Sequence, residues 1–585
     1  MRIELIRDAT KLDLNYSNQR KEVEARFNCI DWVVSALSLV WQKERERTVL
    51  KRRALWFLPL LLVFVLASGT IFAQNLKEFD VFTGEPLPDY PGSTIVGDII
   101  RAETGVKLNR EALVGDLETK VGLMIASGDY PDMVVAAHFT SLLKDAGALI
   151  PLNDLIEEHA PNLKRLYANH WEMLQQEDGN VYWLPIQALP YGPDTSRYPS
   201  LAFFMNKRVL KDAGWPEVKT LDQYFQLIED YMAKYPTING ESTIGYLTLF
   251  DDWRSFATTN VPQHLMGYPN EGEFVPVMEK GRYVVKEYHT SRTAKAYYQK
   301  LNEMYNKGVV DKETFIMNYD QYIEKLSSGR VLGTFNQFWQ MQEGQNYLLR
   351  DDPESMFVPL PIVIDTLVEE RQRDIPYVQP TQGMGITVAC DDPVGAIKYL
   401  DYLIQEDTQR LLQWGIEGEH YEVDENGLYY RTPEQLALFR DPDWVQNVFG
   451  RQYFFNAFPS LRGLDENGNM FFPDTQPHLI YSDSTDSEKE VMDAYGVQSF
   501  SALFNEPIFK KYFPLWTITM PAGSPAHIEE TRMKDVLNRY VPELVMSKPE
   551  QFEGIWANYV KDIRPLMVEQ MKLYQEEIDW RMENW

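Results

Sequence analysis

Short apolar runs of β character alternate along most of this chain with segments whose apolar residues recur at helical spacing. Phe79–Phe82, Val106–Leu108, Met133–Val135, Leu201–Met205 and Gly383–Ala389 read as strands. Ser93–Thr104 reads as a helix because Ile95, Ile99 and Ile100 recur at helical spacing. Asp116–Ala126, Thr140–Ala146, Lys207–Ala213, Thr220–Lys234, Arg292–Lys307 and Pro393–Glu406 also read as helices, and Gly147 is a usual helix stop. Leu149–Leu152 leads into another helix at Asn153, a turn at Asp178-Gly179-Asn180 precedes Val181–Ile186, and Ile528–Trp585 is mostly helical. This βαβα order predicts a parallel sheet with helices on both faces. The alternation continues without a low-complexity linker or an internal repeat, so the lobes are not expected to be consecutive blocks. A chain crossing more than once between two α/β lobes leaves no linker to see.

The pattern breaks at Lys51–Ala73, where three cations precede the apolar run Ala54–Ala67 and a small-residue stretch ends at Ala73. That order is the one of a secretory signal, with cleavage after Ala73, although Ile71 is larger than the usual residue there. A membrane anchor is the alternative, but the apolar stretch is short for a span of ~20 residues. Either reading puts the rest of the chain outside the cytoplasm, because positive charge stays inside. No Cys follows the apolar run, so no acyl anchor is expected and a periplasmic location is favoured. Residues 1–50 are polar and mixed in charge; they read as a non-native extension, with translation beginning near Val49 or Leu50.

At 585 residues the chain exceeds one compact core. Residues 1–73 hold 12 basic and 8 acidic residues, so the 57 and 86 of the whole chain fall to 45 and 78 in the exported part, net −33. That charge argues against nucleic acid and, more weakly, against a polyanionic ligand, although a local basic pocket stays open. Of two cysteines only Cys390 remains after export, so no disulfide scaffold and no four-cysteine zinc module is expected. An acidic, cysteine-poor and aromatic-rich exported chain suits a neutral polar ligand with apolar faces, as a sugar has.

No enzyme constellation emerges. The eight histidines show no HExxH spacing, and no GxSxG elbow, Walker A loop or GxGxxG after a strand occurs. Cys390 reads as a buried small hydrophobe. The many carboxylates leave a glycosidase pair open. Asp424–Leu428 and Asp465–Asn469 carry oxygen ligands near calcium-loop spacing but lack the Gly and Glu of an EF-hand loop, so they read as hairpin turns rather than calcium sites. Neither cofactor nor metal is expected.

Seven segments, in order, resemble one bacterial family, the extracellular solute-binding proteins of carbohydrate ABC transporters, in its large lipoprotein-type subgroup. They are ASGDYPDMV (Ala126–Val134), GALIPLNDLI (Gly147–Ile156), DGNVYWLPI (Asp178–Ile186), LAFFMNKRVLKDAGWPEVKTLDQY (Leu201–Tyr224), LSSGRVLGTFNQFWQ (Leu326–Gln340), GMGITVACDDPVGAIKYLDYLI (Gly383–Ile404) and WGIEGEHYEVDENG (Trp414–Gly427). Met205 departs from the family's usual Tyr. The resemblance implies a two-lobed α/β periplasmic-binding-protein fold of type II, with crossing hinge segments, a ligand cleft between the lobes and a helical carboxyl terminus. It implies lobe 1 from 74–198 and 379–430, lobe 2 from 199–378, and 431–585 as a helical segment packed on lobe 2. It also implies a monomer that binds a sugar and delivers it to permease subunits without chemistry on the ligand. A secreted glycoside hydrolase or lyase, and a peptide- or polyamine-binding protein of the same fold, are the alternatives.

Candidate ligand contacts follow. Trp339 stands where the family places a sugar-stacking aromatic; the alternative is a core Trp beside Phe335 and Phe338. Trp253 is set among Asp251, Asp252 and Arg254, which makes plain core less natural and offers Asp252 and Arg254 as polar partners; a solvated turn is the alternative. His138 and Phe139 follow a strand end that should open on the cleft, or else merely enter a helix. One of Tyr182 and Trp183 should be buried in an alternating strand, leaving Trp183 as a candidate. Trp516 resembles a late cleft aromatic loosely. Glu417 belongs to the subgroup string, which serves either a loop or a sugar. Peptide mapping of the precursor is expected to find no peptide from residues 10–40; finding one would establish the upstream start.

Overall fold

The computed structural model describes residues 76–84, 90–186, 196–374, 380–455, 458–508, 510–518, 520–521 and 523–585. The signal-like segment and the residues before it lie outside the described residues. Two separate apolar cores divide Lys77–Trp585 into two lobes.

Lobe 1 begins with β1 (Lys77–Thr83), α1 (Ile95–Thr104), β2 (Val106–Ala112), α2 (Leu117–Ser127), β3 (Met133–Val135) and β4 (Trp183–Pro185). Helix entries are set by side chains: Thr94 and Asp116 accept backbone N–H groups of the first turns of α1 and α2. After β4 the chain passes to lobe 2. There it forms β5 (Leu201–Asn206), α3 (Leu221–Lys234), β6 (Ile244–Leu247), the hairpin β7 (Phe274–Glu279) and β8 (Arg282–Glu287), α4 (Arg292–Asn306), α5 (Tyr319–Ser327), β9 (Val331–Gln337), α6 (Phe338–Asp351) and β10 (Phe357–Leu360). The capping boxes Thr220–Gln223 and Asn318–Gln321 start α3 and α5. The chain then returns to lobe 1 as β11 (Gly383–Ile386) and α7 (Pro393–Leu403).

The lobe 1 sheet has the order β2-β1-β3-β11-β4. β1 is parallel to β2 and β3, whereas β11 is antiparallel to both β3 and β4. The expected all-parallel sheet is therefore corrected to a mixed one. The cause is topological: β11 arrives from the other lobe, so it starts at the edge where β4 leaves and runs against its neighbours. Gly383 makes this possible, since a Cβ there would fall 2.0 Å from the Leu184 carbonyl oxygen of β4. Lobe 2 repeats the rule. Its sheet order is β10-β5-β9-β6, and the entering strand β5 is antiparallel to β9 and β10, while β9 is parallel to β6.

A second correction concerns residues 431–471. Phe449, Tyr453, Phe454, Phe458, Leu461 and Phe471 fill the core of lobe 1, and the guanidinium of Arg110 on β2 lies 4.8 Å from the ring centroid of Phe454. The segment expected on lobe 2 thus joins it only at α8 (Asp486–Tyr495), whose Val491 and Met492 enter the lobe 2 core. A fully buried Lys207 pins it there by bonding Ser487 Oγ at 2.6 Å and Glu354 at 2.7 Å. α9 (Pro525–Met546), α10 (Phe552–Ile563) and α11 (Val568–Asn584) then cover lobe 2. Asn302 of α4 donates to the Leu544 and Ser547 carbonyls at 2.9 and 2.7 Å. No helix among the described residues is long and apolar enough to cross a membrane.

His264 is buried in lobe 2 against Phe335, its Nδ1 3.0 Å from the Tyr268 carbonyl. Burial pushes its pKa down to about 4. The unfolded chain takes up a proton near pH 6.5 while the folded one stays neutral to about pH 4. Its contribution is therefore full above pH 6.5 and is lost as pH falls from 6.5 to 4, by up to ~3 kcal/mol. Denaturant titrations across pH are expected to show this loss in the native chain and not in His264→Gln; identical profiles would refute it.

Candidate functional site

The crossings fix where a site can be. β4 ends and β11 begins at the lobe 1 edge that leads to lobe 2, and β5 begins while β10 ends at the matching edge of lobe 2. By strand direction the carboxyl ends of β1 and β3 share the first edge, and those of β6 and β9 share the second. Ligands of open α/β sheets bind at such ends.

On lobe 2, two of the predicted aromatics meet at this edge. Gln337, last in β9, pairs with Leu201, and the Phe338 N–H donates to the Ser200 carbonyl at 2.8 Å. Phe338 turns inward and stacks on Tyr198 at 4.1 Å, so the next residue, Trp339, stays 51% exposed. Its indole N–H donates to the Gln337 side chain. Trp253 follows β6 in a loop held by the 2.8 Å bond between the Thr248 and Thr258 hydroxyls and by Thr258 donating to the Leu249 carbonyl. It is 42% exposed. The two indoles stack, with centroids 6.0 Å apart and planes 16° from parallel, and Phe256 stacks on Trp253 at 6.0 Å. Such pairs add about 0.5–1.5 kcal/mol beyond area burial.

Arg254 lies 4.5 Å from the centroids of both Trp253 and Tyr319. Tyr319 is fixed in turn, its hydroxyl donating to the Gln340 carbonyl at 2.8 Å and its N–H to Asp251 at 3.0 Å. Burial pushes the Tyr319 phenol up to about 12, so it is neutral and a donor at physiological pH. Asp252 is exposed, in the left-handed region at φ 47°. On the facing edge Ala137, two residues after β3, is also left-handed at φ 45°. Strained non-glycine backbone of this kind gathers at ligand clamps.

The other candidates divide. Phe139 follows Ala137 at the lobe 1 edge and packs partly against the core beside Phe82 and Val134; the His138 side chain lies outside the described residues. Trp183 is 3% exposed, with its indole N–H given to the Pro380 carbonyl at 2.7 Å, so it braces the returning strand instead of offering a face. Trp516 is half-buried against the backbone of Gly272, where any Cβ would come within 2.9 Å. Glu417 is exposed on a lobe 1 loop that His420 closes by accepting the Ile416 N–H at 3.0 Å. Gly415, at φ 94°, leaves room for the His420 side chain. The glycines and histidine of that string therefore build a loop. Tyr319 and Phe256 are members of the cluster that sequence reasoning missed; no pattern around them signals it.

The two DENG turns are closed by their own bonds. Asp424 accepts the N–H groups of Asn426 and Leu428 at 2.8 Å, Asp465 accepts those of Asn467 and Asn469, and Asn469 ties one turn to the other. Among the described residues no three His, Cys, Asp or Glu side chains are gathered to hold a metal ion.

Two lobes with reversed entering strands and a shared edge of strand ends define a two-lobed solute-binding architecture. The family described as bacterial extracellular solute-binding protein matches residues 97–415, more than half of the chain, and the chain belongs to it. The fructooligosaccharide ABC transporter substrate-binding protein FusA of Streptococcus pneumoniae is 26% identical over 281 residues, 45% of this chain and 50% of that protein. An uncharacterized Niallia circulans protein is 25% identical over 132 residues, 22% of this chain and 50% of that one. The chain spans about half the length of these curated relatives. Among solved structures, a FusA EF-hand mutant in complex with fructo-nystose gives a TM-score of 0.65 at 19% identity, covering 87% of this chain and 100% of that one. The alginate-binding protein AlgQ2 without calcium ion gives 0.59 at 18%, covering 86% and 98%. These likenesses show the fold.

The stacked indoles are expected to couple their transitions. Trp339→Phe and Trp253→Phe should each remove the same circular dichroism couplet; independent, additive losses would show that the rings do not stack in solution.

Proposed function

We propose that this protein binds an oligosaccharide outside the cytoplasm, as a monomer, and hands it to an ABC-type permease by closing its lobes. One observation carries the reading: an exposed tryptophan pair follows the lobe 2 strand ends, at the edge where the chain crosses from lobe 1. A pyranose has C–H-rich faces and a hydroxyl rim; rings take the faces and polar groups the rim. Trp339 and Trp253 both stay about half exposed in their stack, with Phe256 and Arg254 against Trp253, so the pair is the platform. Met205 is fully buried, so the Tyr usual at that position would not offer a hydroxyl to a ligand here without displacement.

Two or three stacking contacts with charge-assisted hydrogen bonds reach ~8 kcal/mol, micromolar binding. Closure then follows from linkage: only a ligand touching both edges favours the closed form. FusA, named as binding fructooligosaccharides for an ABC transporter, supports the class of ligand. The reading contains no chemical step.

A thermal-shift screen against neutral and acidic oligosaccharides tests it, since a saturating ligand stabilises by RT ln(1 + [L]/Kd). The best hit is expected to bind Trp339→Ala about tenfold more weakly and to yield no new reducing ends on incubation. Unchanged affinity would remove Trp339 from the site, and turnover would overturn the binding role.

A further inference from the structure

Among the described residues no hydrogen bond or ion pair reaches the side chain of Arg254. The guanidinium nevertheless packs against aromatic rings, 4.5 Å from the centroids of both Trp253 and Tyr319, and its Nε is shut off from solvent without an acceptor. The acids nearest in sequence do not neutralise it. Asp251 gives an oxygen to the Tyr319 N–H, and Asp252 is exposed in its left-handed turn without an ion pair. In a chain with 86 acids against 57 bases, a held cation without a carboxylate, packed on the exposed Trp253, is left for something else.

From this geometry we propose that the ligand is an acidic oligosaccharide, a uronate, whose carboxylate Arg254 receives beside the exposed Trp253–Trp339 pair. The inference rests on the saccharide-binding reading and names its ligand class. The planar fork of a guanidinium matches the two oxygens of a carboxylate, and with Nε shut off its two terminal nitrogens are the donors left for one. Closure of the lobes strips water from these donors. A neutral sugar would leave the charge desolvated and uncompensated, which is costly, whereas a uronate compensates it. The negative field of the whole chain opposes an anion at long range, but salt screens it and the contact pair is screened less.

Calorimetric titration tests this with short galacturonate and glucuronate oligomers and their carboxyl-reduced, neutral counterparts, on the full exported chain and on Arg254→Gln, Arg254→Lys and Trp339→Ala. The acidic member of a pair is expected to bind about tenfold or more tightly than its neutral counterpart. In Arg254→Gln that preference should shrink to about threefold or less. Arg254→Lys, which keeps the charge and loses the fork, should retain part of it, and added salt should weaken only the acidic member in the native chain. Thermal melting checks that each variant folds, and Arg254→Lys carries the test if Arg254→Gln does not. Neutral oligomers binding as tightly as acidic ones, with Trp339→Ala weakening both, would overturn the uronate assignment and leave the saccharide site standing. Absence of binding by any saccharide, acidic or neutral, would overturn both.

Discussion

A chain that leaves a sheet and comes back must re-enter at the edge it left. That constraint organises this molecule. It reverses β11 in lobe 1 and β5 in lobe 2 against their neighbours, and it turns the carboxyl ends of the remaining crossing strands toward one shared edge. The aromatic cluster of the candidate site hangs from those ends. Trp339 is the second residue after β9, Trp253 lies in the loop after β6, and Ala137 is the second residue after β3. Gly383 is the point where the constraint is tightest, because the departing and returning strands touch there through backbone alone.

Given that edge, the cluster is assembled by ordinary means. Parallel pairing of β6 with β9 puts Leu247 beside Thr334, and the loops that follow each strand bring two tryptophans distant in sequence into one stack. Tyr319 serves as the joint: it receives the guanidinium on its face, caps into Asp251 through its N–H and reaches the α6 backbone through its hydroxyl. Phe338, Tyr198 and Phe500 form a second stack on the inner side, tying the first crossing to α6 and to the carboxyl-terminal segment.

Local structure was legible in the sequence where local chemistry determines it. Thr94, Asp116 and Thr220 cap helices at the starts their positions announce, and Met133–Val135 is a strand at its predicted bounds. Strand direction was not legible, because whether β11 runs with or against β3 depends on where the chain has been and not on its own residues. Nor was the attachment of residues 431–471 to lobe 1. Their phenylalanines would suit either core, and what selects lobe 1 is the aromatic bed around Arg110, which no periodicity displays. At the site, Trp339 and Trp253 were both singled out, but their contact and the roles of Tyr319 and Phe256 arise only from pairing across the sheet. Alternation correctly implied that one of Tyr182 and Trp183 turns inward; Trp183 does, while the Tyr182 hydroxyl bonds Asp178 at 2.6 Å.

The indole stack has a consequence for the protein in solution. Flat apolar surface left in water invites one molecule to adhere to another. Stacked as they are, the two indoles shield part of each other from water while both stay about half exposed. That contact thereby limits stickiness between copies.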